Sequence, residues 1–153
     1  MKLHLLRHAD PEIGIRQQSD FDRKLSSKGI LQLTKISTTL KKRTDFFKHL
    51  EIYCSPSKRT KQTVEGATEG ISELKINYIE ELYLPTIDKL LSFLNHLNTS
   101  KDILIVGHNP GLSQLASYFS GQQIVLSPGG LITLDFEINH SDGFSGDTAS
   151  IIN

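Results

Sequence analysis

The stretch Ile103-Leu104-Ile105-Val106-Gly107-His108-Asn109-Pro110-Gly111 decides the fold. Its first four residues form an unbroken apolar run rich in β-branched side chains. Such a run marks a strand covered on both faces, the situation of a parallel sheet flanked by helices. Gly107 to Gly111 breaks the run, and Asn109-Pro110 opens a helix that carries Leu112, Leu115, Ala116 and Phe119 at helical spacing. A buried strand feeding a helix through a tight turn is the repeating half of an alternating β-α chain.

The same alternation extends in both directions. Leu3 to Leu6 reads as a strand, and His8 to Arg23 as a long polar loop with Pro11 and Gly14. Loops of that length in a compact domain are usually functional or disordered. Ser26 or Ser27 caps a helix whose stripe is Ile30, Leu33, Ile36 and Leu40, closed by Lys41, Lys42 and Arg43 where a helix end favours cations. Glu51 to Cys54 is a second strand. Ser55-Pro56 then reads as an N-cap and first helical residue, opening a helix with Arg59, Thr63, Val64 and Ala67 that ends near Gly70. Lys75 to Ile79 suggests a short strand, and Thr86 caps a helix with Ile87, Leu90, Leu91, Leu94 and Leu97. Gly130 to Ile138 alternates apolar and polar residues and is expected to form an exposed edge. Residues 139–153 are expected to form a polar, mobile tail. The pattern gives an α/β fold with a mainly parallel sheet, one domain over residues 1–153.

Composition narrows the function. The 153 residues are 37% hydrophobic, enough for a real core, and one domain of this size is the usual expectation. Lys+Arg 17 balances Asp+Glu 17. That balance excludes a global basic field for nucleic acid or an anionic membrane, while leaving room for a local basic pocket. A single cysteine, Cys54, excludes an internal disulfide framework and a cysteine-rich zinc site. No apolar run approaches the roughly 20 residues of a membrane span. The N-terminus has no signal-peptide pattern, so the cytoplasm is the expected location.

In an open α/β sheet, ligands bind beyond the carboxyl ends of the strands. Here those ends are Arg7-His8-Ala9-Asp10, Ser55-Pro56 with Arg59 one turn on, and Gly107-His108-Asn109-Pro110. If the strands are neighbours, two arginines and two histidines converge beside two helix N-termini. That is an anion pocket, because guanidinium forks match phosphate oxygens and helix starts offer free N–H groups. The positive surroundings keep His8 neutral near pH 7, and a neutral imidazole is a nucleophile. Singly, each residue has a plainer explanation: a surface arginine, a strand-end histidine, a helix-surface charge, a turn filler. Together, clustered cations without a ligand would repel.

Rival motifs fail. A cysteine phosphatase loop from Cys54 would need Arg at position 60, where Thr60 stands. No P-loop is present. Gly111-Leu112-Ser113-Gln114-Leu115 lacks the second glycine of a serine nucleophile elbow. His4, His8 and His108 could be imagined as zinc ligands, but their spacing and the adjacent Arg7 oppose it. A zinc site is therefore not expected, and Cys54 reads as a core residue.

Leu6-Arg7-His8-Ala9, Ser55-Pro56-Ser57-Lys58-Arg59-Thr60-Lys61-Gln62-Thr63 and Val106-Gly107-His108-Asn109-Pro110-Gly111-Leu112 resemble, in order, three blocks of the histidine phosphatase, or phosphoglycerate mutase-like, superfamily. The short chain, the Gly-His-Asn-Pro-Gly form, Ser19-Asp20-Phe21-Asp22-Arg23 and Glu80-Glu81-Leu82-Tyr83 resemble its SixA-type phosphohistidine phosphatases. The resemblance spans about residues 2 to 138. It implies a single-domain three-layer α/β/α fold and a phosphatase that uses no metal or organic cofactor. His8 would be the nucleophile, Arg7 and Arg59 would bind the phosphoryl oxygens, and His108 would complete the pocket and stabilise the transferring group. A phosphate or sulfate anion would fit there. Ala9 stands where the family has Gly, tolerable at a negative φ. The general acid is open among Glu81, Asp10 and Asp22. An imidazole leaving group, with a pKa of about 6.5, needs little help from an acid. A phosphohistidine-bearing protein is therefore the expected substrate. The alternatives are a small phosphomonoester at the same site and a non-catalytic phosphoryl-binding module. The sequence does not fix the oligomeric state; a monomer is compatible with it.

Overall fold

A computed structural model describes residues 1–42, 45–136, 144 and 149–152. Arg43, Thr44, residues 137–143, residues 145–148 and Asn153 lie outside the described residues. Strands β1 (Lys2–Arg7), β2 (Leu50–Cys54), β3 (Ile76–Tyr78), β4 (Asp102–Gly107), β5 (Leu131–Asp135) and β6 (Ser150–Ile152) form one sheet in the order β3-β2-β4-β1-β5-β6. The first four are mutually parallel, β5 runs antiparallel to β1, and β6 antiparallel to β5. Helices α1 (Ser27–Lys41), α2 (Lys58–Ala67), α3 (Ile87–His96) and α4 (Gly111–Ser120) connect them.

Alternation along the central strands divides the core into two layers. Leu3, Leu5, Ile103 and Ile105 pack with Leu90, Leu94, Leu112, Leu115 and Phe119 from α3 and α4. Leu6, Leu104, Val106, Ile52 and Cys54 pack with Ile36 and Leu40 of α1 and with Val64 and Ala67 of α2. Both faces of β4 are thus covered, and Ile103 to Val106 are fully buried. The three-layer α/β/α sandwich is the expected one. Cys54 is a core residue, and burial, the largest cause, pushes its thiol up to about 12.

Three expectations are corrected. β5 is not an edge: β6 covers it, pairing Leu134 with Ile151. The expected tail holds structure where it is described. Phe144 is buried against Phe119 and Phe136, and the Ala149 N–H donates to the Phe119 carbonyl at 2.8 Å. An isolated Phe in a polar run and a three-residue strand carry too little periodicity to be read locally. Finally, Ser55 is not the cap of α2. Ser57 occupies that position, and α2 starts at Lys58. The later start leaves Ser55 to the site.

Ser26 caps α1, its Oγ accepting from the Gly29 N–H at 3.0 Å. Gly29 lies so close to the Asp10 carbonyl that a Cβ there would collide with it, so glycine lets the first loop lie against α1. Thr86 caps α3 as expected, at a longer 3.4 Å.

Candidate active site

The strand order β2-β4-β1 places the three expected strand ends side by side. Cys54 pairs with Val106 and Arg7 with Gly107. The ladder continues for one more residue on each outer strand, with the Ser55 N–H on the Val106 carbonyl and the His8 N–H on the Gly107 carbonyl, both at 3.0 Å. Backbone pairing therefore fixes Ser55, His108 and His8 next to one another. The two imidazole rings lie 5.2 Å apart between centroids.

Arg59 reaches both rings from the first turn of α2. Its Nε–H points at His8 Nε2 and its Nη2 at His108 Nδ1, each at 3.4 Å. Arg59 is 2% exposed, among the largest fully buried side chains. Arg7 donates from Nη1 to the Leu126 carbonyl at 2.9 Å. Its Nε is buried and meets no acceptor, the one such side-chain atom among the described residues. Arg7, His8, Arg59 and His108 are thus brought together.

The partners assign the proton positions. His8 Nδ1 faces the Ala9 carbonyl at 2.8 Å, which can only accept, so Nδ1 carries the hydrogen and Nε2 an unprotonated lone pair that meets only the long Arg59 Nε–H contact. His108 Nδ1 faces a guanidinium, which can only donate, so its hydrogen is on Nε2 and goes to Ser55 Oγ at 2.8 Å. Both rings are held neutral. Burial lowers His8 to about 4, helped by Arg59, Arg7 and Arg23 and opposed by the bond to Ala9. Burial lowers His108 to about 3, helped mainly by Arg59 and by His8. Such an arrangement offers a bare imidazole nitrogen inside a cationic pocket, suited to a tetrahedral oxyanion.

The second sequence block anchors the first. Thr63 Oγ1 accepts from the Ala9 N–H at 3.0 Å and donates to the Arg59 carbonyl at 2.7 Å. Gln62 Oε1 accepts from the Leu25 N–H at 2.9 Å. Ala9 is absent from the residues with positive φ and is fully buried, so its methyl group is accommodated.

A family model for the histidine phosphatase superfamily (branch 1) matches residues 3–83, just over half of the chain. The chain belongs to that superfamily. Phosphatase chemistry follows from histidine phosphatase membership. The remaining half carries His108, which the geometry joins to the matched half. No protein of curated function matches the sequence. Solved structures do match in fold. One, provisionally described as the phosphohistidine phosphatase SixA from Agrobacterium tumefaciens, is 24% identical, with 94% of this chain and 97% of that chain covered and a TM-score of 0.81. The protein histidine phosphatase SixA complexed with tungstate is 18% identical, with 99% and 94% covered and a TM-score of 0.79. A phosphoserine phosphatase from Entamoeba histolytica, in complex with 3-phosphoglyceric acid, is 17% identical, with 99% and 95% covered and a TM-score of 0.67. At these identities the likeness is one of fold.

The carboxyl candidates of this histidine phosphatase do not join the four-residue cluster. Glu81 lies in a 3-10 turn, Glu80–Leu82, exposed and without a hydrogen bond or ion pair to Arg7, His8, Arg59 or His108. Asp10 binds Ser26 Oγ at 2.7 Å and Lys28 at 3.9 Å. Asp22 is exposed. Sequence reasoning passed over three participants instead. Ser55 holds His108. Asp20 holds Arg59, Nη2 to Oδ2 at 2.9 Å. Tyr83 sets its ring edge-on to His108, centroids 5.4 Å apart, and donates to Asp20 Oδ2 at 2.7 Å. Ser19-Asp20-Phe21-Asp22-Arg23 and the Tyr83 block were visible as resemblances, which was the available signal. No helix among the described residues is long and apolar enough to cross a membrane.

Proposed function

We propose that this histidine phosphatase dephosphorylates phosphohistidine on a protein, in the manner of the SixA-type branch, through a transient phosphohistidine on His8. In the first step the bare Nε2 of His8 attacks phosphorus. The new Nε2–P bond forms as the substrate's N–P bond breaks, and the leaving imidazole takes a proton from solvent. Water then attacks the phosphoryl group on His8, and orthophosphate leaves with Nε2 restored. Arg7 and Arg59 balance the charge on the phosphoryl oxygens. His108 borders the same oxygens through its contact with Arg59. The steps use protein side chains and water alone.

The observation that carries the protein phosphohistidine reading is the state of the carboxyl groups. Alkyl phosphates leave as strongly basic alkoxides and need a protonated acid beside the bridging oxygen. The carboxyl bound to the pocket, Asp20, is held ionised: burial pulls it up, but hydrogen bonds from Tyr83, Arg59 and Arg23 outweigh that and place it far below the usual range. Glu81, Asp10 and Asp22 make no bond to the four-residue cluster. Imidazole, with a side-chain pKa of about 6.5, leaves without that help.

Phosphate release is to be measured from a phosphohistidine-bearing protein and from p-nitrophenyl phosphate, with wild type and His8→Ala. The expected result is faster release from the protein, lost in the variant. Activity surviving His8→Ala would overturn the covalent route. Turnover of the ester alone would replace the protein substrate with a small phosphomonoester. Binding of phosphate without turnover of either would replace catalysis with docking.

A further inference from the structure

Arg59 has five N–H donors arranged on two usable edges, and the structure uses the edges differently. The side-on edge, Nε–H with one Nη2–H, faces His8 Nε2 and His108 Nδ1, both at a long 3.4 Å. The end-on edge, Nη1–H with the other Nη2–H, is taken by a single residue. Nη1 donates to the Asp20 carbonyl and Nη2 to Asp20 Oδ2. Backbone and side chain of Asp20 together therefore grip one side of the guanidinium and turn the other toward the two imidazoles.

Asp20 is itself braced. Arg23 closes a fork on Oδ1, with Nε at 2.9 Å and Nη2 at 2.7 Å, and the Tyr83 hydroxyl donates to Oδ2 at 2.7 Å. Phe21 meets the Tyr83 ring edge-on, centroids 5.0 Å apart. Three hydrogen bonds and the Arg23 Nη2 contact thus converge on the carboxylate of a half-exposed residue. A carboxylate tied on both oxygens serves as a strut for Arg59. The weak 3.4 Å contacts on the opposite edge are the ones an oxyanion can replace with short, charge-assisted bonds.

We propose that Asp20, braced by Arg23 and Tyr83, is a positioning residue that holds the end-on edge of Arg59 so that its side-on edge is presented to the phosphoryl group. The inference rests on the reading of Arg59 as a phosphoryl-binding group and adds the residue that aims it. It also gives the long first loop a task, since Asp20 in the 3-10 turn Asp20–Asp22 ties that loop to Arg59 of α2.

Tungstate binding is the probe, measured by calorimetry on the whole chain, because it needs no turnover and no assumption about the natural substrate. Losing hydrogen bonds to a charged group sets the scale, so Asp20→Ala is expected to weaken tungstate about tenfold or more. Asp20→Asn keeps an acceptor for Nη2 and is expected to bind within about threefold of wild type. Tyr83→Phe, which leaves Asp20 in place with one brace fewer, is expected to fall between them. On any substrate that wild type turns over, Asp20→Ala should lower kcat as well as raise KM, with Asp20→Asn restoring both. Unchanged binding in Asp20→Ala would overturn the proposal. Tighter binding would overturn it too, since removing a carboxylate that merely neutralised Arg59 would help an anion. If Asp20→Ala does not fold, wild-type affinity in Tyr83→Phe or a tenfold loss in Asp20→Asn is the overturning result. A wild type that binds tungstate but turns over no substrate refutes the proposed function and leaves this test standing.

Discussion

The Nδ1 atom of His8 lies 2.8 Å from the carbonyl oxygen of Ala9, its own neighbour in the chain. The short bond costs no long-range packing, yet it fixes which ring nitrogen is bare. Nitrogen NMR of the ligand-free protein should show His8 with its hydrogen on Nδ1, and neutral down to about pH 4. A His8 titration near the ordinary value of about 6.5 would mean that the pocket does not desolvate the ring.

The same depression makes folding acid-sensitive. His8 titrates at about 4 and His108 at about 3 in the folded chain. In the unfolded chain both titrate near 6.5, so between those limits the unfolded state binds more protons. Stability is therefore full above about pH 6.5 and falls as pH drops toward 4. With nearly two protons of difference, the slope near pH 5 is on the order of 2–3 kcal/mol per pH unit. Urea unfolding at pH 7 and pH 5 checks this, and His8→Asn should remove about half of the slope. An unchanged slope in that variant would refute the assignment to His8.

Ser55 is fully buried and accepts the His108 Nε2–H at 2.8 Å. Ser55→Ala leaves that hydrogen without its acceptor, a loss of about 1–3 kcal/mol in stability. The ring also loses one of its two anchors, keeping only the Arg59 contact on Nδ1, so kcat should drop while the fold persists. Denaturant midpoints and kcat measured together test both parts; a variant as stable and as active as wild type contradicts the role.

How far the sequence announced these features depends on the range of the signal. Ile103 to Val106, the Pro110-Gly111 helix start and the Arg7, His8, Arg59 and His108 strand ends are local patterns, and the parallel order β2-β4-β1 then makes them one site. Asp20 and Tyr83 are separated by 63 residues and joined by a single hydroxyl bond, which no periodicity encodes. Ser55 was visible but read as a helix cap, because Ser-Pro is a strong helix start. The helix begins later, and the hydroxyl turns to His108 instead. β6 and Phe144 escaped for the opposite reason: each contributes one short apolar feature whose meaning comes only from Phe119, Phe136 and β5.

Glu81 offers a direct test of the carboxyl argument. It is exposed on its 3-10 turn and bonds to none of the four pocket residues. Glu81→Gln should leave phosphohistidine hydrolysis within about twofold of wild type, since a loss of general acid would instead cost about 10²–10⁴-fold. A large loss confined to an alkyl phosphate such as phosphoserine, whose alkoxide leaving group is strongly basic, would assign Glu81 an acid role on esters.

Arg59 meets both imidazoles and Asp20, and its shape matters more than its charge. Lysine at this position keeps one positive charge but has three donors on a point-like ammonium. It cannot serve His8, His108 and both Asp20 acceptors in one plane. Arg59→Lys is therefore expected to lower kcat/KM on the order of 10²-fold, the scale of losing a preorganised donor to a developing charge. Tungstate affinity should fall with it, because a lysine offers the anion no side-on fork. Steady-state kinetics with tungstate as a competitive inhibitor reads both quantities. A lysine variant within about threefold of wild type on each would show that a cation suffices, and the two-edged geometry of Arg59 would then have no part in binding the phosphoryl group.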